Sequence, residues 1–224
     1  KQTSKKTEAI WITVTRDART HSPSLAKSLI EGITSTGANV VDLGLAPTPI
    51  GYYSEVVGGP SQITGGEKIL GAMIITASHN PKEYNGMKMT YAGRTLNEAQ
   101  IKEVKELAFK ELSEKQAEAV TGKIVEYNII PDYIDDMKKR FGTIGKGIKV
   151  VVDSANATGG VVGPQLYREL GCEVIELFSA PDGNFPNHHP NPSDLKTLKV
   201  IEETVLENNH FREHPNASSA HIGG

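Results

Sequence analysis

Short β-branched runs alternate with segments of helical spacing along most of this sequence, and that alternation restricts the possible folds more than any other feature. Ile10-Trp11-Ile12-Thr13-Val14 is the first such run, and side chains of this kind fit the pleated, half-buried surface of a strand. Ser22-Pro23-Ser24 follows, and Leu25, Leu29, Ile30 and Ile33 then fall about one helical turn apart. A helix is expected there, with Ser22 as its N-cap and Pro23 at its first position. Gly37 closes it, and Asn39-Val40-Val41-Asp42-Leu43 is the next strand. Strand, helix, strand in that order calls for a right-handed crossover and a parallel pair.

The grammar continues past Ala46-Pro47-Thr48-Pro49, which breaks the chain, into a short helix over Ile50 to Val57. Gly58 to Gly66 holds four glycines and a proline and reads as a surface loop. Ile69 to Thr76 is an apolar strand; Asn85-Gly86 is a turn dipeptide, so Met87 to Tyr91 is expected to return as a short strand. Leu96 to Leu112 has helical spacing, with Ile101, Val104, Leu107 and Ala108 on one side, and is expected to complete the layer.

A second unit of the same kind begins near Tyr127. Pro131 to Phe141 reads as a helix, Ile148 to Asp153 as a strand, and Gly159-Gly160 leads into a helix carrying Val162, Leu166, Tyr167 and Leu170. Cys172 to Phe178 is the next strand, and a helix is expected from Asp194 to about Leu206. Two strands among three helices make a marginal sheet with open edges, so further strands are expected from a C-terminal continuation or a partner chain. The fold class read from the whole is α/β: an α/β/α layered domain with a mixed sheet over residues 1–126, and an incomplete second α/β domain over 127–224. His210 to Gly224 shows neither periodicity.

Composition narrows the function classes. The 224 residues carry 24 Lys and Arg against 27 Asp and Glu, for a net charge of −3, without the basic footprint of a nucleic-acid binder. No apolar run approaches the length that spans a bilayer. The lone Cys172 excludes an internal disulfide framework and an all-cysteine zinc site. A reducing, cytoplasmic setting is expected, and the Asn216-Ala217-Ser218 acceptor pattern is read as chance. Lys1 to Glu8 is polar and lacks the apolar core of a secretory signal, and residues upstream of Lys1 are expected.

Chemistry concentrates in Gly71 to Lys88. The apolar strand delivers Thr76-Ala77-Ser78-His79-Asn80-Pro81 to its carboxyl end, where open α/β sheets bind ligands. Ser78 offers a hydroxyl, His79 an imidazole, and Lys88, beyond the turn, an ammonium that the returning strand carries back toward Ser78. That trio suits phosphoryl transfer, where positioning and charge neutralisation dominate. A serine and a histidine in a loop also commonly do no more than hydrogen-bond backbone. The segment lacks the Gly-x-Ser-x-Gly elbow of a serine hydrolase.

Gly71-Ala72-Met73-Ile74-Ile75-Thr76-Ala77-Ser78-His79-Asn80-Pro81-Lys82-Glu83-Tyr84-Asn85-Gly86-Met87-Lys88 closely resembles the active-serine signature of the α-D-phosphohexomutases. Other segments resemble that family in order: Thr15-Arg16-Asp17-Ala18-Arg19 with Thr in place of its Gly, Asp42 to Pro49, Val152 to Gly160, and Gly183 to Pro192. The resemblance implies an intramolecular phosphotransferase interconverting hexose 1-phosphate and hexose 6-phosphate. Ser78 would carry the phosphoryl group, with a hexose 1,6-bisphosphate as intermediate and activator. His79 and Lys88 would stand beside the reacting oxygens, Lys88 as general acid and base. Arg16, Arg19 and Asn80 are candidates for phosphate binding; for Arg16, Asp17 and Arg19 bracing of the loop is the alternative, and Asn80 and Asn85 are also read as loop-shaping. Mg²⁺ is implied, bound to Ser78 through its phosphate. The Asp-Gly-Asp-Gly-Asp-Arg metal loop of the family, its sugar loop and its distal phosphate loop do not occur in this sequence. The chain by itself is therefore expected to turn over little or nothing. The other reading is a truncated, non-catalytic isoform that serves as a binding or structural module. His188 and His189 are read as part of a structural loop, with metal ligation as the alternative.

Overall fold

The first strand, β1 (Trp11–Arg16), is followed by α1 (Ser22–Ser35), β2 (Asn39–Leu45), α2 (Thr48–Val57), a four-residue α3 (Ser61–Thr64) and β3 (Ile69–Ile75). The chain then returns through β4 (Met87–Tyr91) and β5 (Arg94–Thr95) to α4 (Glu98–Ser113) and β6 (Ile124–Glu126). These elements come from a computed structural model that describes residues 9–57, 61–113 and 121–208. The segment Lys1 to Glu8, the tail from residue 209 and the Asn216 pattern lie outside the described residues.

The six strands form one mixed sheet in the order β5-β4-β3-β1-β2-β6. β1 sits at its centre, parallel to β2 and β3, and β4 is antiparallel to β3. Val14, Val40 and Ile75 pack with Ala26 and Ile30 of α1 on one face. Trp11, Val41, Leu43 and Ile69 pack with Ile50 of α2 on the other. Period-two alternation makes this two-sided burial possible, since neighbouring residues of a strand point to opposite faces. One irregularity matters for β3. Trp11 faces Ile69 but Ile12 faces Gly71, so Leu70 is an extra residue that reverses which face the following side chains take. Ile69 therefore lies on the α2 side, while Met73 and Ile75 lie on the α1 side.

The second unit runs α5 (Ile130–Phe141), β7 (Lys149–Asp153), α6 (Gly163–Glu169), β8 (Glu173–Leu177) and α7 (Lys199–Glu207). A 3₁₀ turn, Thr158–Val161, precedes α6 and another, Leu195–Leu198, precedes α7. β7 and β8 form a parallel two-stranded sheet. Ile129 and Val162 of this unit belong to the same buried cluster as Trp11, Val41 and Ile50. The two units therefore share core on the α2 side of the large sheet.

Five expectations change. The chain returns as β4, but neither Asn85 nor Gly86 takes the positive φ of a two-residue hairpin turn; that turn falls at Ala92-Gly93, φ 51° and 76°, between β4 and β5. His21 is the N-cap of α1 and makes no side-chain capping bond; Ser22 is the first helical residue, and its hydroxyl donates to Asp17 Oδ1 at 2.5 Å instead. The glycine-rich stretch expected as loop contains α3. The helix expected from Asp194 starts as a 3₁₀ turn, with the Asp194 carboxylate accepting from the Lys196 N–H. The apolar side of α4 does not close a layer: Ile101, Val104 and Leu107 are 44%, 37% and 54% exposed.

Candidate functional site

β1 and β3 end side by side, Arg16 opposite Ile75, and the Asp17 N–H donates to the Ile75 carbonyl at 2.9 Å. Past β3 the chain loops out and is closed by the Thr76 N–H donating to the Gly86 carbonyl at 3.0 Å. Ser78 sits in this loop with φ of 56°, a left-handed conformation that costs a non-glycine residue on the order of 1 kcal/mol. Its N–H donates to Thr76 Oγ1 at 3.0 Å. The half-buried Ser78 lines a cleft with Asp17, Ala18, Arg19 and Thr76, and Ala157, Thr158, Phe185 and Pro190 of the second unit form the opposite wall. The cleft holds a volume of about 20 Å³, room for one water-sized occupant.

Arg19 is the centre of the loop's hydrogen bonding. Its side chain is 1% exposed. Nε–H donates to Asp17 Oδ2 at 3.0 Å. Nη1 donates to the carbonyls of Pro81 at 2.6 Å and Tyr84 at 3.2 Å. Nη2 donates to those of Ser78 at 3.0 Å and Asn80 at 2.8 Å. A guanidinium has five N–H donors, and all five are spent on this protein's own acceptors. The geometry thus supplies Arg19 with bracing contacts and leaves it no donor for a phosphate.

Asn80 is likewise committed to loop shape: its N–H and its Nδ2 both donate to the Ala77 carbonyl, at 3.1 and 2.9 Å. Asn85 Nδ2 donates to Ser22 Oγ at 2.8 Å, tying the far side of the loop to the start of α1. Lys88 lies opposite Ile74 in the β3–β4 pairing, so it shares the α2 face of the sheet, whereas Arg16, opposite Ile75, shares the α1 face. The side chains of Lys88 and Arg16 have no hydrogen-bond or ion-pair partner among the described residues. His79 Nε2 is buried and also has no partner, an uncommon state for a buried polar atom. His188, by contrast, has both ring nitrogens occupied, one by Asp153 Oδ2 at 2.9 Å and the other by the His189 carbonyl at 3.0 Å. Among the described residues no group of three or more His, Cys, Asp or Glu is arranged to hold a metal.

Ala157, Thr158, Phe185 and Pro190 were not among the residues singled out for chemistry. Phe185 and Pro190 fall in the proline- and asparagine-rich run from Pro181 to Ser193, where composition marks a loop without showing that it reaches the Ser78 cleft.

Comparison with known proteins places these features in context. The domain described as phosphoglucomutase/phosphomannomutase, alpha/beta/alpha domain I, matches residues 2–115, and the corresponding domain II matches residues 131–215. The phosphomannomutase/phosphoglucomutase of Pseudomonas syringae pv. tomato is 39% identical over 88% of this chain. That of Pseudomonas aeruginosa is 38% identical over 88%. The chain spans about two fifths of the length of these curated relatives, 39% and 40%. Among solved structures, a phosphoglucomutase/phosphomannomutase family protein from Burkholderia thailandensis superposes with a TM-score of 0.78 at 32% identity. That match covers 88% of this chain and 42% of the other.

Proposed function

Because the chain belongs to the phosphoglucomutase/phosphomannomutase family and carries its first two α/β/α domains, we propose that Ser78 is the phosphoryl carrier of an intramolecular phosphotransferase acting on hexose phosphates. The observation that supports this most is the presentation of Ser78. It stands at the end of a central strand, in an uncommon backbone conformation, beside a cleft that both units line.

In the proposed cycle a hydroxyl of a hexose monophosphate attacks the phosphorus on Ser78. The bond from phosphorus to Oγ breaks, a bond to the sugar oxygen forms, and the proton of the attacking hydroxyl ends on Oγ. Lys88, whose ammonium has no partner among the described residues, is the candidate to ferry that proton. The resulting 1,6-bisphosphate turns around, and the Ser78 hydroxyl attacks its other phosphorus by the same exchange in reverse, so hexose 1-phosphate and hexose 6-phosphate interconvert without net loss of phosphate. A phosphoserine carries about −1.5 to −2 charge. Its compensation is assigned to Arg16, His79 and Lys88 on the family resemblance; of the candidate residues, Ser78 and Arg19 are the ones that line the cleft itself. The proposed setting is cytoplasmic; among the described residues no helix is long and apolar enough to cross a membrane.

The Mg²⁺ implied by the resemblance does not fit the residues present. Mg²⁺ demands about six oxygen ligands in near-octahedral geometry. Asp17, the carboxylate of the cleft, is held by Arg19 and Ser22, and no metal-binding cluster occurs among the described residues. No step through the metal is derived. With glucose 1-phosphate, its 1,6-bisphosphate and Mg²⁺ in a coupled assay, the 224-residue chain is expected to show no turnover. In a protein that joins this chain to an aspartate-rich metal loop, turnover is expected, Ser78→Ala should abolish it, and phosphopeptide mass spectrometry should find phosphate on Ser78. Phosphate found reproducibly on another residue refutes the assignment.

A further inference from the structure

Arg19 does more than occupy a buried site. Four of the carbonyls that define the Ser78 loop, those of residues 78, 80, 81 and 84, converge on one guanidinium. Its charge is compensated by those dipoles and by Asp17, as a buried cation requires. The fork geometry of the guanidinium matters, because its donors point in fixed directions that an ammonium cannot reproduce. One of the four carbonyls belongs to Ser78 itself, whose left-handed backbone conformation must be held by its surroundings.

The same side chain is also touched from the second unit. Its Cζ lies 5.6 Å from the centroid of the Phe185 ring, within the range of a cation–π contact. Two residues earlier, Gly183 runs so close to the first unit that a Cβ there would lie 2.4 Å from the Ala18 carbonyl oxygen and 2.6 Å from the Thr20 nitrogen. The loop after β8 therefore grips the Asp17–Thr20 turn through both its backbone and an aromatic ring.

We propose that Arg19 is the positioning residue of Ser78, and that the second unit sets its position through Phe185. Seating of the Gly183–Phe185 segment presses the guanidinium into the carbonyl ring, and the ring in turn aims the Ser78 hydroxyl into the cleft. Withdrawal of that segment loosens the loop while leaving both sheets intact. This rests on the reading of Ser78 as phosphoryl carrier only for its consequence in catalysis; the mechanical coupling stands on the contacts alone.

Hydrogen exchange followed by mass spectrometry on the full chain tests the coupling. Phe185→Leu is expected to speed exchange at Asn80 and Tyr84, whose N–H groups bond within the loop, by about threefold. Arg19→Ala is expected to speed it by about tenfold or more, and β1 and β3 should exchange as in the native chain in both. Added methylguanidinium should restore protection in Arg19→Ala, and methylammonium should not. If Arg19→Ala does not fold, Phe185→Leu decides alone: native exchange at Asn80 and Tyr84 overturns the proposal. In the phosphorylated protein, Phe185→Leu should also move the phosphorus NMR resonance of Ser78, which a purely structural contact would leave in place. Absence of phosphate on Ser78, with exchange behaving as expected, would count against the proposed function and leave the coupling standing.

Discussion

At the scale of single residues, the loop around Ser78 is arranged against its own backbone preference. A serine at φ of 56° is held there by its N–H bond to Thr76 Oγ1 and by Arg19 at its carbonyl. Replacing Ser78 with glycine removes the steric cost, while replacing it with alanine keeps it. Ser78→Gly is therefore expected to be more stable than Ser78→Ala by about 1 kcal/mol in denaturant unfolding, though both lack the hydroxyl. Equal stability would mean that the loop carries no strain. The sequence singled out Ser78, His79, Lys88, Arg16, Arg19 and Asn80 as candidates, and of these the structure brings Ser78 and Arg19 to the lining of the cleft. Their division of labour was not legible in the sequence. Nothing in Arg16-Asp17-Ala18-Arg19 shows that the second arginine turns inward to five acceptors while the guanidinium of the first keeps no partner among the described residues. That depends on carbonyls about sixty positions away.

At the scale of elements, α4 and the short strands are informative. Helical spacing in Glu98 to Ser113 does produce a helix, assisted by residues of high helix propensity and a Lys102–Glu106 pair one turn apart. An apolar stripe signals that a face can be buried, not that it is. With Leu107 54% exposed, Leu107→Gln is expected to change stability by no more than about 0.5 kcal/mol. Ile75→Ala, in a position 1% exposed, should cost about 3 kcal/mol. A comparable loss in both would show that α4 packs after all. β5 and β6, two and three residues long, are too short to leave a periodic signature and exist because a neighbouring strand offers them hydrogen bonds.

At the scale of the whole molecule, the seam between the units is the structure's main organising feature. Away from the cleft it is joined by tyrosines. Tyr53 of α2 meets Tyr133 of α5 edge to face with ring centroids 5.0 Å apart, and its hydroxyl donates to the Asp132 carbonyl at 3.4 Å; on the second unit's side of the seam, the Tyr127 hydroxyl donates to the Asp132 carboxylate. That bond, aided by burial, pushes the Tyr127 hydroxyl up to about 12; burial and then Asp136 raise Tyr53 as well. The folded chain thus keeps a proton that the unfolded chain loses near pH 10. Stability from Tyr127 is fully present below about pH 10 and declines as pH rises toward about 12. The Tyr127 ring is half-buried but its bond to Asp132 lies at the surface, so the contribution should stay below about 1 kcal/mol. Denaturant midpoints measured across that range should fall more steeply in the native chain than in Tyr127→Phe. Parallel slopes would remove the bond from the account.

The alternation of strands and helices, the return of the chain as β4 and the serine-bearing loop at a strand's carboxyl end were all legible in the sequence alone. Each follows from local periodicity or turn chemistry, which neighbouring residues settle among themselves. The tertiary structure alone decided that Arg19 braces the loop, that Leu70 reverses the faces of β3, and that Phe185 reaches Arg19 from the second unit. These depend on which distant backbone atoms arrive beside a given side chain, and no spacing within a segment records that meeting.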